Sequence, residues 1–247
     1  PELFELTVGG LGATGLMTAI TLKVEELKGR SITHRKIPCM NIEDAVNMFE
    51  KFSSEKKHLI YSWNDFRSTR RDFFGKGFIY LDSFSDSVKN SSFSFKPLSA
   101  NSRRSKVFSR FSSIVTPLIL PTYKIMQEMS KKEQSLGVFE GTFPISGKEL
   151  YYTAMGYKGY LEYQVIIPFG NLVKFSDLMF DAVGSFSPTI TLGSLKYLNG
   201  SPKYLRFCKK GIVFTLNIYN NKKALAFLNH LDAIVIQCNG IPNLSKD

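Results

Sequence analysis

The sequence is poor in cysteine, histidine and tryptophan, short of acidic residues, and without a long apolar run. Its three cysteines, Cys39, Cys208 and Cys238, are odd in number, far apart, and form no C-x-x-C pair. A disulfide framework needs pairs and a structural zinc site needs close spacing, so neither organises this chain, and no metal site is expected. Sparse, unpaired cysteine suits a reducing compartment. The histidines, His34, His58 and His230, are as scattered, and surface or internally satisfied roles are their default. No stretch reaches the ~20 apolar residues that a membrane-spanning helix needs, and no secretory signal opens the chain. The sequence starts without Met and in mid-motif, which reads as a piece of a longer protein, so the missing leader carries no weight. A cytoplasmic or membrane-peripheral location is the expectation.

Aromatics and positive charge are plentiful. There are 21 Phe and 11 Tyr beside one Trp, and 32 basic residues against 21 acidic ones give a net charge of +11. Such a balance attracts anionic partners, whether nucleic acid, phosphate esters or anionic lipid, or else serves solubility alone. No nucleic-acid motif accompanies the charge, and nucleic acid is not the expected partner.

The opening stretch, Pro1-Glu-Leu-Phe-Glu-Leu-Thr-Val-Gly9-Gly10-Leu-Gly12-Ala-Thr14-Gly15, spells G-x-G-x-x-G from Gly10. That pattern marks a dinucleotide site only when a strand leads in and a helix leads out. Here the order is reversed. Pro1 and Glu2 suit a helix start, and Gly9-Gly10 suits its left-handed end. Ile20, Leu22 and Val24 then alternate with Thr21 and Lys23 as in a strand. The reading is helix, glycine turn, strand, which excludes the Rossmann arrangement. On pattern alone the turn is equally a corner that merely needs glycines.

Further along, Ser31–Ile37 reads as a strand ended by Pro38. Asn41 caps a helix with Ala45, Val46, Phe49 and Phe52 on one face. His58–Asn64 and Gly77–Ser83 read as strands. From Phe84 to about Asn101 serine and asparagine dominate, as in a mobile loop. Val107, Phe108, Phe111, Ile114 and Val115 share a helical face beside Arg103, Arg104, Lys106 and Arg110. That face suits a membrane interface or lipid phosphate, or else a helix packed over the domain. Tyr123–Gln134 reads as a short helix and Gly137–Tyr152 as one or two short strands. Gly159–Pro168 is the clearest strand, with Tyr160, Glu162, Gln164 and Ile166 on one face. A helix over Leu172–Val183, strands over Thr189–Tyr197 and Gly211–Tyr219, and an amphipathic helix over Asn221–Gln237 complete the chain, with Lys203–Cys208 as a poorer strand. Helices between strands of mixed direction predict an α+β fold, a mostly antiparallel sheet with helices on one face. No repeat is visible in the residues, although the strand–helix–strand pattern occurs twice.

Three segments carry a resemblance. The glycine stretch Glu2–Val24 resembles the end of the flavin domain in FAD oxidoreductases of the vanillyl-alcohol-oxidase type, in particular the decaprenylphosphoryl-β-D-ribose 2′-oxidases. Gly159-Tyr-Leu-Glu-Tyr-Gln164-Val-Ile-Ile-Pro168 is similar to a family Gly-Phe-Leu-Gln-Tyr-Gln-Phe-Val-Ile-Pro. Ser245-Lys246-Asp247 is similar to a family Ala-Lys-Asp. Tyr61, Ser62 and Trp63 match a family Tyr-Ser segment loosely.

The resemblance implies a hydride transfer from a sugar alcohol carbon to FAD. A polyprenyl-phosphate-linked pentose is the implied substrate and a short-chain reductase the implied partner, while the basic apolar face at 103–115 is by its own residues the expected peripheral membrane contact. The resemblance places Gly9, Gly10, Gly12, Thr14, Gly15 and Lys246 at the cofactor. Lys246 and Gln164 are the implied catalytic pair, and Gln164, Lys196, Phe214 and Tyr61 the substrate contacts. It divides the chain into the end of a flavin domain (1–30), a substrate domain (31–240) with a mobile insertion at about 84–135, and a return to the flavin domain (241–247). A piece of this kind is expected to hold FAD weakly and to be inactive alone. One departure concerns the strand Gly211–Tyr219, where the family carries an asparagine and a cysteine facing the flavin and Ile212 and Phe214 stand at about those positions. Another is Thr142, near which a family pocket tyrosine falls.

Overall fold

The computed structural model describes residues 2–24, 31–53, 58–85, 118–142 and 158–246. Eight strands make one sheet in which every pairing is antiparallel, and six α-helices accompany it among the described residues. The fold is α+β.

One unit is used twice. Strand β1 (Ser31–Cys39) leads to helix α2 (Ile42–Ser53), then β2 (His58–Asp65) and β3 (Lys76–Ser85). Strand β5 (Tyr160–Ile167) leads to α5 (Leu172–Phe186), then β6 (Ile190–Leu198) and β7 (Gly211–Tyr219). The first half is ordered β1-β3-β2 and the second β6-β7-β5, so they meet as mirrored sequences at β2 and β6. Strand β4 (Glu133–Gly137) extends one edge on β1, and β8 (Ile241–Pro242) the other edge on β5.

The period of two decides what each face buries. Ile79 and Leu81 of β3, Val165 and Ile167 of β5, and Ile212, Phe214, Leu216 and Ile218 of β7 are buried on one face. Helix α2 covers it with Ala45, Phe49 and Phe52, α5 with Leu172, Phe175 and Met179, and α6 (Lys222–Gln237) with Phe227, Leu231 and Ile234. Each set recurs at three- and four-residue spacing, as a helix lying on a sheet requires. Asn41 caps α2 by accepting from the Asp44 N–H at 2.9 Å, and Asn221 caps α6 by accepting from Ala224 at 2.9 Å.

Several boundaries differ from the sequence reading. Strand β1 runs through Pro38 to Cys39, because β4 pairs only with Ser31–Arg35 and Pro38 lies where that side of β1 has no strand partner. Of Gly137–Tyr152, read as holding one or two short strands, Val138–Thr142 forms α4, and residues 143–152 lie outside the described residues. Part of the expected mobile insertion is regular: α3 (Ile119–Met129) and the start of β4 fall within it. Lys203–Cys208 is turn and coil, not strand. The expected helix at 107–115, and with it the membrane contact at 103–115, lies outside the described residues.

Candidate functional site

The other face of the sheet is polar and aromatic. Cross-strand register places Lys36, Tyr80, Tyr61, Lys196, Val213 and Ile166 in one row over six strands. Beside it, Gln164, Thr215 and Ser194 form a second row over the second half. Helix α3 lies across the first half of this face, so helices are not confined to one side. Tyr80 Oη donates to Gln127 Oε1 at 2.7 Å, and Trp63 meets Tyr123 with ring centroids 5.2 Å apart. The Lys36 ammonium, 5% exposed as a residue, donates to the carbonyls of Gln127 and Ser130 and to Ser130 Oγ. A cation at the negative end of α3 is favourable, yet burial still lowers the Lys36 pKa below the usual lysine range.

The expected site residues separate by face. Tyr61, Lys196, Gln164 and Lys246 all belong to the polar side. Gln164 is held at both ends of its amide: Nε2 donates to Thr215 Oγ1 at 2.9 Å, and Oε1 accepts from Asn243 Nδ2 at 2.6 Å. The Asn243 backbone N–H also donates to the Gln164 carbonyl at 2.8 Å, so the chain after β8 continues along β5. That path brings Lys246 Nζ to 3.0 Å from Glu162, two residues before Gln164 on the same face. Lys196 is exposed.

Phe214 does not belong here. It is 1% exposed on the helix side, with its ring centroid 4.8 Å from that of Phe175. Ile212 shares that side for the same reason of parity. The β7 residues on the face of Gln164 are Gly211, Val213, Thr215 and Asn217. Alternation along β7 does not reveal the facing in the sequence, because Gly211–Ile218 is buried throughout. Thr215 and Asn243 were missed for a related reason, since only the register shows that they meet Gln164.

Behind Tyr61 lies a buried cluster. Its ring stacks on Tyr80 at 5.0 Å, and Tyr80 stacks on His34 at 5.1 Å. His34 Nδ1 is 2.6 Å from Asp82 Oδ1, and the Asp82 side chain is fully buried. Burial first, and the Asp82 carboxylate second, push the Tyr61 phenol above the usual tyrosine range. Tyr80 and Tyr123 are raised as well, chiefly by burial. All three are neutral hydroxyls at ordinary pH.

The glycine turn stands apart from any sheet pairing. Helix α1 (Glu2–Thr7) precedes it, and Thr7 and Thr14 hydroxyls share a hydrogen bond of 2.9 Å across it. Gly9, Gly12 and Gly15 have φ of 74°, 81° and 125°, where a side chain is strained. A side-chain carbon on Gly12 or Gly15 would meet nothing within 4 Å, so their backbone is open. The connection between β6 and β7 holds this segment: Arg206 donates to the Val8 carbonyl at 3.2 Å and to Glu5 Oε2 at 2.9 Å, and Lys203 is 3.1 Å from Glu5. Hydrogen bonds from Lys203 and then Arg206 lower the Glu5 pKa. The strand expected over Ile20–Val24 is not formed. Those residues are exposed and outside any strand, because alternation makes a strand only where a partner supplies the ladder.

Among the described residues no group of three metal-ligating side chains occurs, and the cysteines are free. No helix among them is long and apolar enough to cross a membrane. No family model matches the chain. No curated protein matches it either.

Proposed function

We propose that this chain carries the substrate-facing sheet of an FAD-dependent oxidoreductase acting on CH–OH, with a sugar alcohol, such as a polyprenyl-phosphate-linked pentose, as its substrate. The observation that carries the reading is the Gln164–Thr215–Asn243 network on a polar sheet face, with Tyr61 and Lys196 on one side of it and Lys246 on the other. An amide has two donors and two acceptor lone pairs. Thr215 and Asn243 each use one, which fixes the Gln164 orientation and leaves one of each for sugar hydroxyls. The exposed Lys196 ammonium offers a point charge to a phosphate. Helix α3 walls the face on the Tyr61 side and keeps water from the aromatic cluster.

Bound FAD would supply the acceptor for the substrate's hydride. What supports its fit is the open backbone at Gly12 and Gly15, where the missing side chains leave room for a flat ring. In this reading Gly9, Gly10, Gly12, Thr14 and Gly15 hold the cofactor. Lys246 answers negative charge there, at the cost of its pairing with Glu162. The test is the absorption spectrum of the complete gene product. A flavin spectrum after purification, or after reconstitution with FAD, is expected. A colourless protein that takes up no FAD would sink the reading.

One observation favours a second reading, a basic module on anionic membrane. Ile125, Met126 and Met129 of α3 are exposed next to Lys124, Lys131 and Lys132. Salt-sensitive cosedimentation with phosphatidylserine vesicles, in a protein without flavin, would put this reading first.

A further inference from the structure

The cluster behind Tyr61 has a use that the resemblance does not assign. Oxidation of an alcohol to a carbonyl releases a hydride and a hydroxyl proton, and the proton needs an acceptor. Lys246 is a poor one, since it is already a cation paired with Glu162. Gln164 does not take protons. Tyr61 stands opposite Lys196 on the polar face, half-buried, and it also pairs with Tyr80, so Asp82, two residues further along β3, is its diagonal neighbour on that face. Asp82 has one oxygen on His34 Nδ1 and its other oxygen, Oδ2, buried without a hydrogen-bond partner. A buried carboxylate oxygen in that state is costly, and a tyrosine diagonal to it on the same sheet face has the reach to supply the donor. The ring stack His34–Tyr80–Tyr61 fixes all three groups in order.

We propose that Tyr61, Asp82 and His34 form a proton relay in which Tyr61 takes the substrate hydroxyl proton and Asp82 receives the Tyr61 proton. This rests on the oxidoreductase reading above. In the step, the substrate O–H bond breaks and its proton goes to Tyr61 Oη. The Tyr61 O–H bond breaks in concert, and that proton goes to Asp82 Oδ2. The substrate carbon loses its hydride, with both electrons, to the oxidised flavin, and the carbonyl forms. Tyr61 never becomes a free phenolate, which its buried setting would oppose. Asp82 ends neutral. His34, whose side chain is 10% exposed, links the carboxyl to solvent for the return of the proton. Tyr61 is the catalytic residue of the three, and Asp82 and His34 are positioning residues acting through it.

Two measurements on the complete gene product decide it. The first is the carbon-13 NMR shift of the Tyr61 ring carbon that bears the hydroxyl. It reports whether that hydroxyl donates to Asp82 and needs no flavin. Asp82→Asn is expected to move it, His34→Gln to move it less, and Lys196→Met to leave it in place. The second is the rate of flavin bleaching by a short polyprenylphosphoryl pentose. Tyr61→Phe is expected to slow it by roughly 10²-fold or more with KM nearly unchanged, the usual weight of general acid–base catalysis. Asp82→Asn is expected to slow it less, and to change the solvent deuterium isotope effect. A Tyr61 shift indifferent to Asp82→Asn, or bleaching indifferent to Tyr61→Phe, would overturn the relay. A gene product that binds no flavin overturns the functional reading instead, and the carbon shift still decides whether Asp82 holds the Tyr61 proton.

Discussion

Tyr61 of β2 and Lys196 of β6 are direct cross-strand partners at the seam between the two halves of the sheet. A phenol and an ammonium on one face thus come from two different copies of the same strand–helix–strand–strand unit. Next to them, on the helix side, the Leu195 N–H donates to Ser62 Oγ at 3.1 Å. The seam is therefore a candidate ligand contact on one face and a stability element on the other.

The helix side of the seam depends on Asn64, which is fully buried. Its Nδ2 donates to the Gly75 carbonyl at 2.8 Å, and its Oδ1 accepts from Ser62. Asn64→Leu leaves Ser62 and the Gly75 carbonyl buried without their partner. A loss of about 2–3 kcal/mol is expected from urea unfolding, since each stranded polar group costs about 1–3 kcal/mol. An unchanged midpoint would mean that the halves are not joined through this network.

Two glycines should respond in opposite ways. A side-chain carbon at Gly193 would lie 2.5 Å from the Asn64 carbonyl oxygen and from Phe66 Cδ2, so Gly193→Ala is expected to cost about 1–3 kcal/mol or more. Gly184, on α5, would meet nothing within 4 Å. Gly184→Ala is expected to stabilise by about 0.5–1 kcal/mol through helix propensity. Thermal melts of the pair check both signs.

The separation of Phe214 from the site predicts a double dissociation. Phe214→Ala opens a cavity between Phe175 and Phe66 and is expected to cost about 3–5 kcal/mol of stability. Lys196→Met is expected to leave stability nearly unchanged and to weaken binding of a sugar phosphate, read by calorimetry. Loss of phosphate binding without loss of stability in a Phe214→Leu protein would return Phe214 to the site.

Stability should fall in alkali. Burial pushes the Cys39 thiol up to about 12, and holds Tyr61, Tyr80, Tyr123 and Tyr163 above the ordinary range. Below the unfolded values, about 8.5 for cysteine and about 10 for tyrosine, both states keep these protons. As pH rises past them the unfolded chain releases protons that the fold retains, so folding is penalised progressively. Lys36, lowered by burial, works in the opposite direction but is a single group. Urea midpoints measured from about pH 8 to about pH 11 should decline steadily. The same burial makes Cys39 and Cys238 inert to thiol reagents in the native state, while the half-buried Cys208 reacts first.

Much of this protein was legible in its residues. Asn41 announced its helix because a capping side chain acts on an N–H three residues away. The alternation of Glu162 and Gln164 with Leu161 and Tyr163 gave β5 its polar face, for strand geometry is local. The helix before the glycine turn could be read in the same way, from Glu2 and from Gly9-Gly10. Tertiary structure decided the rest. The duplication of the unit leaves no repeated residues, because either half needs only apolar residues at the right period. Which residues of β7 face Gln164 was hidden, since β7 is buried on both sides and its parity shows only in the register with β5. His34 and Asp82 lie 48 residues apart and meet because β1 and β3 pair, so no local rule brings them to Tyr61. Ile20–Val24 carries the alternation of a strand and still forms none, because a strand's hydrogen bonds are made with a partner and not within itself.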